Sequence, residues 1–112
     1  MSGASFGLRK RLATGEPVVF PWVGTPGAQL AGQIARVGFD AVALDLQHST
    51  IDMGEAAQMV AAINAVGKPA TLRVRWNDPG IVNSALEMGA ACGLAPMTNT
   101  VEQVPALVKA AN

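Results

Sequence analysis

The sequence predicts an α/β fold in which four strand–helix units follow one another along a single domain, residues 1–112. Short apolar runs alternate with longer segments whose apolar residues recur at helical spacing, and the unit repeats roughly every 25 residues. Glycine follows three of the helical segments, at Gly38, Gly67 and Gly89, which is typical of a helix end. Because strands that alternate with helices are joined by right-handed crossovers, the four strands are predicted to form a parallel sheet.

The first unit begins with an apolar run at residues 18–23 that ends at Gly24. Thr25 is expected to cap a helix that has Pro26 as its first residue, because a capping hydroxyl followed by proline is a favoured helix start. The second strand is predicted at 41–46, where near-continuous apolarity indicates burial on both faces of a parallel sheet.

The second helix has a clear start signal, because Asp52 and Glu55 have the spacing of a capping box. The later elements follow the same logic: a strand at 70–74, a helix capped by Asn77 or Asp78 with Pro79 first, a strand at 93–97, and a helix capped by Thr100 with Gln103.

The composition bounds the class of protein. Half of the 112 residues are apolar and 14% are charged, with eight basic residues balancing eight acidic ones. These values indicate a folded, soluble domain and argue against a nucleic-acid partner. Cys92 is the single cysteine, so no intrachain disulfide forms, and a buried inert thiol is expected. No apolar stretch approaches the ~20 residues that span a bilayer, and we expect a cytoplasmic protein without a membrane partner.

The pattern alone leaves two architectures open. One is a compact doubly wound sheet of four strands. The other is the first half of an eight-stranded (β/α)₈ barrel, which normally needs about 250 residues. A half barrel leaves two parallel edges unpaired, which is a known liability.

Polar residues stand where the predicted strands end, and such positions build the active sites of parallel barrels. Asp45 closes an apolar strand, where a carboxylate is costly unless it is paired or near a metal. His48 is the only histidine and could be a general base oriented by a carboxylate. The alternatives are an aspartate that braces the loop and a histidine that only caps or packs.

Arg73 lies inside the third predicted strand, where a guanidinium favours a planar anion such as a carboxylate. The alternative is a structural ion pair with Asp45 or Glu87. Trp22 also falls at a strand end, where tryptophan more often fills space than binds substrate.

Several strings in this order resemble the class II pyruvate aldolases typified by 4-hydroxy-2-oxoheptanedioate (2,4-dihydroxyhept-2-ene-1,7-dioate) aldolase, to which citrate lyase β-subunits and 2-keto-3-deoxy-sugar-acid aldolases are related. The resemblance runs nearly end to end. The matching strings are Leu12-Ala13-Thr14-Gly15, Pro21-Trp22-Val23-Gly24, Ala35-Arg36-Val37-Gly38-Phe39-Asp40, Asp45-Leu46-Gln47-His48-Ser49, Arg73-Val74-Arg75-Trp76-Asn77-Asp78-Pro79, Ala85-Leu86-Glu87-Met88-Gly89-Ala90 and Pro96-Met97-Thr98-Asn99-Thr100.

The resemblance implies the first half of a TIM (β/α)₈ barrel and a metal-assisted retro-aldol cleavage that gives pyruvate and an aldehyde, or the reverse addition. His48 matches the family's general base, and Arg73 matches the arginine that grips the keto-acid and steadies the enolate. Glu87 aligns where an aspartate often partners the histidine, and is longer by one methylene. Trp22 lines the pocket, and Asp45 lies in the outer shell of the metal.

The resemblance also implies a divalent cofactor, Mg²⁺, Mn²⁺ or Co²⁺, and a substrate pocket to which Pro96 and Met97 contribute. The family's direct metal ligands, a glutamate and an aspartate, come from later strands, so the ion requires ligands beyond residue 112. Family barrels have eight strands and this chain offers four. We therefore expect an N-terminal half that binds metal poorly and catalyses little alone.

Two other functions compete with an aldolase that acts on a keto-acid and an aldehyde. The first is a non-catalytic half-barrel module that assembles with itself or with a complementary half, and a homo-oligomer is expected in either case. The second is a small α/β binding domain, which would be favoured if His48, Arg73 and Asp45 pointed to different faces.

Overall fold

Four parallel strands lie side by side in the order of the chain, β1-β2-β3-β4. The computed structural model describes residues 6–111. The elements are α1 (Leu8–Ala13), β1 (Trp22–Val23), α2 (Ala28–Ala35), β2 (Val42–Asp45), α3 (Met53–Ala65), β3 (Ala70–Arg73), α4 (Pro79–Glu87), β4 (Cys92–Leu94), a 3₁₀ turn (Val101–Gln103) and α5 (Val104–Ala111). The predicted α/β alternation is confirmed. A doubly wound sheet reverses its strand order at a switch point, so the unreversed order indicates half of a barrel.

The pairing register sorts the strand residues onto two faces of the sheet. Asp45 pairs with Arg73 and Arg73 pairs with Leu94; paired residues in neighbouring strands point to the same side. Right-handed crossovers between strands in chain order place α2, α3 and α4 on one side of the sheet. We call the opposite side the inner face; its strand residues are Trp22, Ala43, Asp45, Thr71, Arg73, Cys92 and Leu94.

The hydrophobic core lies between the other face of the sheet and these helices. Leu44 and Leu72 are fully buried there against Met59, Val60 and Ile63 of α3. Burying side chains of this size contributes roughly 1.5–3 kcal/mol each relative to exposure. The core thus anchors β2 and β3 along their length and fixes the positions of the residues that follow them.

Two helix starts agree with the sequence prediction in detail. The carboxylate of Asp52 accepts a hydrogen bond from the Glu55 amide at 2.7 Å, and the Glu55 carboxylate accepts one from the Asp52 amide at 3.1 Å. Asp78 caps α4, which has Pro79 at its first position. The start of the last helical segment is also capped as predicted, because Gln103 Oε1 accepts a hydrogen bond from the Thr100 amide at 3.2 Å.

The first strand is much shorter than the predicted span 18–23, since β1 contains only Trp22 and Val23. Upstream of it, the Val19 amide donates to Asp40 Oδ2 at 2.8 Å and the Val19 carbonyl accepts from the Asp40 amide at 2.9 Å. Prolines at positions 17 and 21 have no N–H for a strand ladder. The segment is therefore held by Asp40 at Val19, and it joins β2 only at Pro21, whose carbonyl accepts a hydrogen bond from the Ala43 amide at 3.0 Å.

The predicted start of the first long helix, with Thr25 as cap and Pro26 first, is wrong. Helix α2 begins at Ala28, and its N-cap is Gly27 with φ 149°, a backbone conformation that side chains disfavour. The fourth strand is also displaced: β4 is Cys92–Leu94 rather than 93–97. It ends before Pro96, which lacks an N–H for the ladder.

Candidate active site

The centre of the site is an ion pair between Asp45 and Arg73, which end β2 and β3 in register on the inner face. Arg73 Nε donates to Asp45 Oδ1 at 3.1 Å, and Arg73 Nη2 donates to Oδ2 at 2.6 Å. This fork matches guanidinium to carboxylate geometry, which gives both strength and orientation. Asp45 is 5% exposed, so the pair lies at the margin of the folded interior.

Three further N–H groups converge on the Asp45 carboxylate. The indole Nε1 of Trp22 donates to Oδ2 at 3.2 Å, while the amides of Gln47 and His48 donate to Oδ1 at 2.9 and 3.1 Å. The hydrogen bonds from Arg73, above all, and those from His48, Trp22 and Gln47 hold the pKa of Asp45 far below its ordinary value against the opposing effect of burial. Asp45 is therefore a fixed anion that organises the strand end around it.

Arg73 keeps one edge of its guanidinium open. Among residues 6–111, Nη1 has no hydrogen-bond partner, and the side chain retains 27% of its exposure. The indole ring of Trp22 lies under the guanidinium, with Arg73 Cζ 5.0 Å from the ring centroid, which is within cation–π range. An arginine so arranged can donate to an incoming carboxylate without leaving Asp45.

His48 lies on the exposed loop that follows β2, three residues after Asp45. Its backbone is fixed by the bond from its amide to Asp45, and the loop is braced further by the Ser49 hydroxyl, which donates to the Asp45 carbonyl. In the described part of the chain, its imidazole forms no hydrogen bond. The ring is therefore accessible at the carboxyl-terminal ends of the strands, where Arg73 also lies.

The structure does not bring Glu87 to His48 within one chain. Glu87 is the last residue of α4, and a crossover helix runs antiparallel to the strands, so its last residue lies near the strand starts. The Glu87 carboxylate instead accepts a hydrogen bond from Asn83 Nδ2 at 3.1 Å on the same helix. Spacing could not show this, because it does not say at which end of the sheet a helical residue lies.

Pro96 and Met97 form the turn after β4, at the carboxyl-terminal ends of the strands, where Arg73 and His48 also lie. Met97 has φ 56°, an uncommon value for a residue with a side chain. Asn77 Nδ2 donates to the Met97 carbonyl at 2.9 Å and so ties this turn to the loop after β3. The sequence pattern assigned Asn77 only to a helix start and missed this bridge.

The described residues do not build a metal site. No group of three His, Cys, Asp or Glu side chains in residues 6–111 is placed to hold an ion. Asp45 also has both carboxylate oxygens occupied by N–H donors. Residues 6–111, as they are arranged, therefore do not provide a set of direct ligands for a divalent ion at this site.

Arg75 follows the end of β3 and lines an open cleft of about 410 Å³ with Asp78 and Ile81, at the start of α4, rather than joining Arg73. Cys92 is partly buried, and burial raises the pKa of its thiol, which agrees with an unreactive thiol.

Comparisons with known proteins match most of the chain to one family of enzymes. The sequence pattern of the family described as HpcH/HpaI aldolase/citrate lyase matches residues 19–112. A hydroxypyruvate/pyruvate aldolase of Rhizorhabdus wittichii is 38% identical over 96 residues, 86% of this chain and 38% of that protein. A 4-hydroxy-2-oxo-heptane-1,7-dioate aldolase of Klebsiella pneumoniae is 28% identical over 103 residues, 92% of this chain and 39% of that protein.

Solved structures show the same arrangement of elements. An HpcH/HpaI aldolase/citrate lyase family protein of Burkholderia cenocepacia superposes with a TM-score of 0.84 at 27% identity, covering 93% of this chain and 42% of that one. The citrate synthase SbnG superposes with a TM-score of 0.85 at 27% identity, with 93% of this chain and 42% of that chain covered. The chain thus spans about two fifths of the length of the relatives it matches. No helix within residues 6–111 is long and apolar enough to cross a membrane.

Proposed function

Because the chain belongs to the HpcH/HpaI aldolase/citrate lyase family, we propose that it supplies the keto-acid-binding part of an aldolase site. The reaction is the cleavage or formation of a carbon–carbon bond between pyruvate, as its enolate, and an aldehyde. The names of the matched relatives support the reaction class. The observation that carries the proposal is Arg73, paired with Asp45 on one edge and open at Nη1 on another.

Arg73 binds the carboxylate of the keto-acid through Nη1. Asp45 balances the arginine charge and fixes the guanidinium plane, so the substrate carboxylate meets a donor of set direction. A fixed donor lowers the entropy cost of orienting the substrate in the site. Trp22, Pro96 and Met97 lie at the same end of the sheet as Arg73 and are proposed to line the pocket around the substrate.

His48 is the proposed proton carrier. In the cleavage direction, its imidazole accepts the proton of the aldol hydroxyl as the adjacent carbon–carbon bond breaks. The aldehyde leaves, and the electron pair of the broken bond remains with the pyruvate fragment as an enolate. A proton returned to the methylene carbon of that enolate completes pyruvate. Glu87 remains the proposed acid partner of His48, although within one chain Glu87 lies near the amino-terminal ends of the strands and His48 follows a carboxyl-terminal end.

Metal dependence is part of the proposal and concerns residues outside the described chain. A divalent ion such as Mg²⁺, Mn²⁺ or Co²⁺ would stabilise the enolate charge when bound, and its ligands would have to come from beyond residues 6–111. Asp45 would act on such an ion only from its outer shell. We further propose a cytoplasmic homo-oligomer, in which further strands or subunits complete the barrel.

The substrate proposal is tested by titrating ¹⁵N-labelled chain with pyruvate and following the Arg73 Nε–H and His48 ring signals. Pyruvate is expected to shift both, with Arg73→Met abolishing the effect. Arg75→Met is the matched control, because Arg75 follows the same strand and lines a different cleft. Acetone, which lacks the carboxylate, is expected to leave the Arg73 signal unchanged. Shifts confined to other residues would contradict the proposal.

The catalytic part is tested by deuterium exchange at C3 of pyruvate in the presence of Mg²⁺ or Mn²⁺. We expect at most slow exchange, because the chain offers no metal site of its own among residues 6–111. Rapid exchange that is lost in His48→Asn would support His48 and contradict the expected incompleteness of the site. Exchange that is unchanged in His48→Asn would contradict the role of His48.

A second candidate function is a non-catalytic half-barrel module. The observation in its favour is the sheet itself, in which β1 and β4 each pair with only one strand among those described. A stable dimer with no pyruvate-dependent shift of Arg73 would favour this module over an aldolase half-site.

A further inference from the structure

We propose that Trp22 is a positioning residue for Arg73: its indole holds the guanidinium in the orientation that leaves Nη1 open to a carboxylate. This assigns to Trp22 more than lining a pocket. The inference rests on the proposed function only for the identity of the anion, because the contacts that define it lie within the chain.

Trp22 contacts both members of the ion pair through different parts of one side chain. Its Nε1 donates to Asp45 Oδ2 at 3.2 Å, the same oxygen that accepts from Arg73 Nη2. Its ring lies under the guanidinium, with Arg73 Cζ 5.0 Å from the ring centroid. Tryptophan combines an N–H donor with a strong cation–π face, whereas phenylalanine has no donor and glutamine has no ring.

The pairing of β1 with β2 positions the Trp22 side chain. Trp22 pairs with Ala43 across β1 and β2, two residues before Asp45 on the same face. Trp22 therefore stands beside Asp45 with one strand between itself and Arg73. Its exposure of 48% is high for so large an apolar side chain, which indicates that burial is not what keeps it there.

The two contacts restrict Arg73 in different ways. The fork to Asp45 sets the plane of the guanidinium, and the ring under it occupies one face of that plane. Thr71, two residues earlier on the same strand and face, does not help, because its buried hydroxyl has no partner among the described residues. Without Trp22, Arg73 could turn from the fork through Nε and Nη2 to one through Nη1 and Nη2, which would close Nη1 to an incoming carboxylate.

The test measures hydrogen exchange of the Arg73 Nε–H by ¹⁵N NMR in the intact chain. In Trp22→Ala we expect the exchange to become about tenfold faster, because a hydrogen bond and a cation–π contact are both lost. Trp22→Phe keeps the ring and Trp22→Gln keeps a donor, so each is expected to restore part of the protection. Trp76→Ala is the matched control, since Trp76 is 52% exposed at the next strand end.

Backbone amide exchange at Leu44 and Leu72 separates a local effect from loss of the fold. Unchanged Arg73 exchange in all three Trp22 variants would overturn the proposal. An equal acceleration of Arg73 and of the two leucine amides would also overturn it, because the role would then be structural. Should Trp22→Ala not fold, the comparison of Trp22→Phe and Trp22→Gln with Trp76→Ala decides the same question.

A pyruvate titration of the wild-type chain keeps this inference distinct from the proposed function. If pyruvate leaves Arg73 unperturbed while Trp22→Ala still accelerates its exchange, the keto-acid proposal fails and the positioning role stands. If pyruvate perturbs Arg73 equally in the wild-type chain and in Trp22→Ala, and exchange is also unchanged, the positioning role fails and the keto-acid proposal stands.

Discussion

Asp45 is the residue on which the candidate site depends most. Five N–H donors reach its carboxylate, two from Arg73, one from Trp22 and two from the loop that carries His48. One side chain thus ties β1, β2, β3 and the following loop together. A charge held by so many donors stabilises the fold and orients the site at the same time.

Asp45→Asn is expected to lower the free energy of unfolding by about 2 kcal/mol near neutral pH, because charge-assisted hydrogen bonds are lost and Arg73 is left unpaired. The measurement is urea denaturation. Glu87→Gln is the control, since Glu87 is exposed and bonded only to Asn83 among the described residues. An equal loss in the two variants would contradict a special role for Asp45.

The same pair predicts the acid sensitivity of the chain. The pKa of Asp45 is depressed in the folded state and lies near 4 in the unfolded chain. The stabilisation by the ion pair is therefore fully present above about pH 5 and is lost as the pH falls toward the folded-state value. Urea midpoints between about pH 6 and pH 3 should fall more steeply in the wild-type chain than in Asp45→Asn. Parallel curves would contradict the prediction.

Residue types and spacing predict Asp45 at a strand end and Arg73 in the next strand as separate candidate site residues. An ion pair of Arg73 with Asp45 or with Glu87 is only the alternative to a functional arginine, and the sequence does not choose between the two partners. The bond from Trp22 to Asp45 could not be predicted, because it depends on the pairing of β1 with β2. Glu87 shows the same limit, since its distance from His48 follows from the direction of α4.

Helix and strand boundaries follow local chemistry where that chemistry is strong. The cap at Asp52 is predicted correctly, and Asp78 is one of the two residues predicted to cap α4, because a carboxylate that accepts N–H bonds in the first turn works without distant contacts. The start of α2 was not predicted correctly, because the helix begins only after Gly27, whose φ of 149° cannot be inferred from the residue pattern. The shortness of β1 depends on Asp40, which is distant in sequence.

Glycine at two helix ends provides a matched test at the scale of elements. Gly89 and Gly38 have nearly the same φ, 111° and 108°, but a Cβ at Gly89 would meet Asn64 Nδ2 at 3.1 Å, while a Cβ at Gly38 meets nothing within 4 Å. Gly38→Ala is expected to cost about 1–2 kcal/mol from backbone strain alone.

Gly89→Ala is expected to cost about 1 kcal/mol more than Gly38→Ala, because it also displaces the Asn64 side chain that donates to the Gly89 carbonyl. Urea midpoints of the two variants measured side by side give the difference. Equal losses would show that the contact with Asn64 has no energetic weight.

The whole molecule is a sheet covered by α2, α3 and α4 on one face, with a strand free at each side among those described. Exposed valines at positions 101, 104 and 108 lie at helical spacing along the last helical segment. Clustered apolar exposure of this kind is typical of a surface that another protein surface covers. The α/β class and the parallel sheet were predictable from periodicity. The choice between a doubly wound sheet and half of a barrel was not predictable from periodicity, because both have the same alternation of strands and helices; the order of the strands decides it.

We expect the chain to self-associate as its concentration rises. The measurement is sedimentation velocity over a wide concentration range. Combined Val101→Lys and Val108→Lys should shift the chain toward monomer, because a charge cannot be buried cheaply in an interface. Val37→Lys is the control, since Val37 is 71% exposed and lies after α2. A monomer at every concentration, or equal effects of the control, would contradict the prediction.

The shortness of β1 leaves little main chain for a further strand to pair with on that flank. The Pro21 carbonyl accepts a hydrogen bond from the Ala43 amide at 3.0 Å, and the N–H and C=O of one strand residue point to the same side, so Pro21 and Val23 both face β2. Of the two residues of β1, Trp22 is then the one whose N–H and C=O face away from the sheet. A polypeptide that lies against this flank is therefore held there mainly by its side chains.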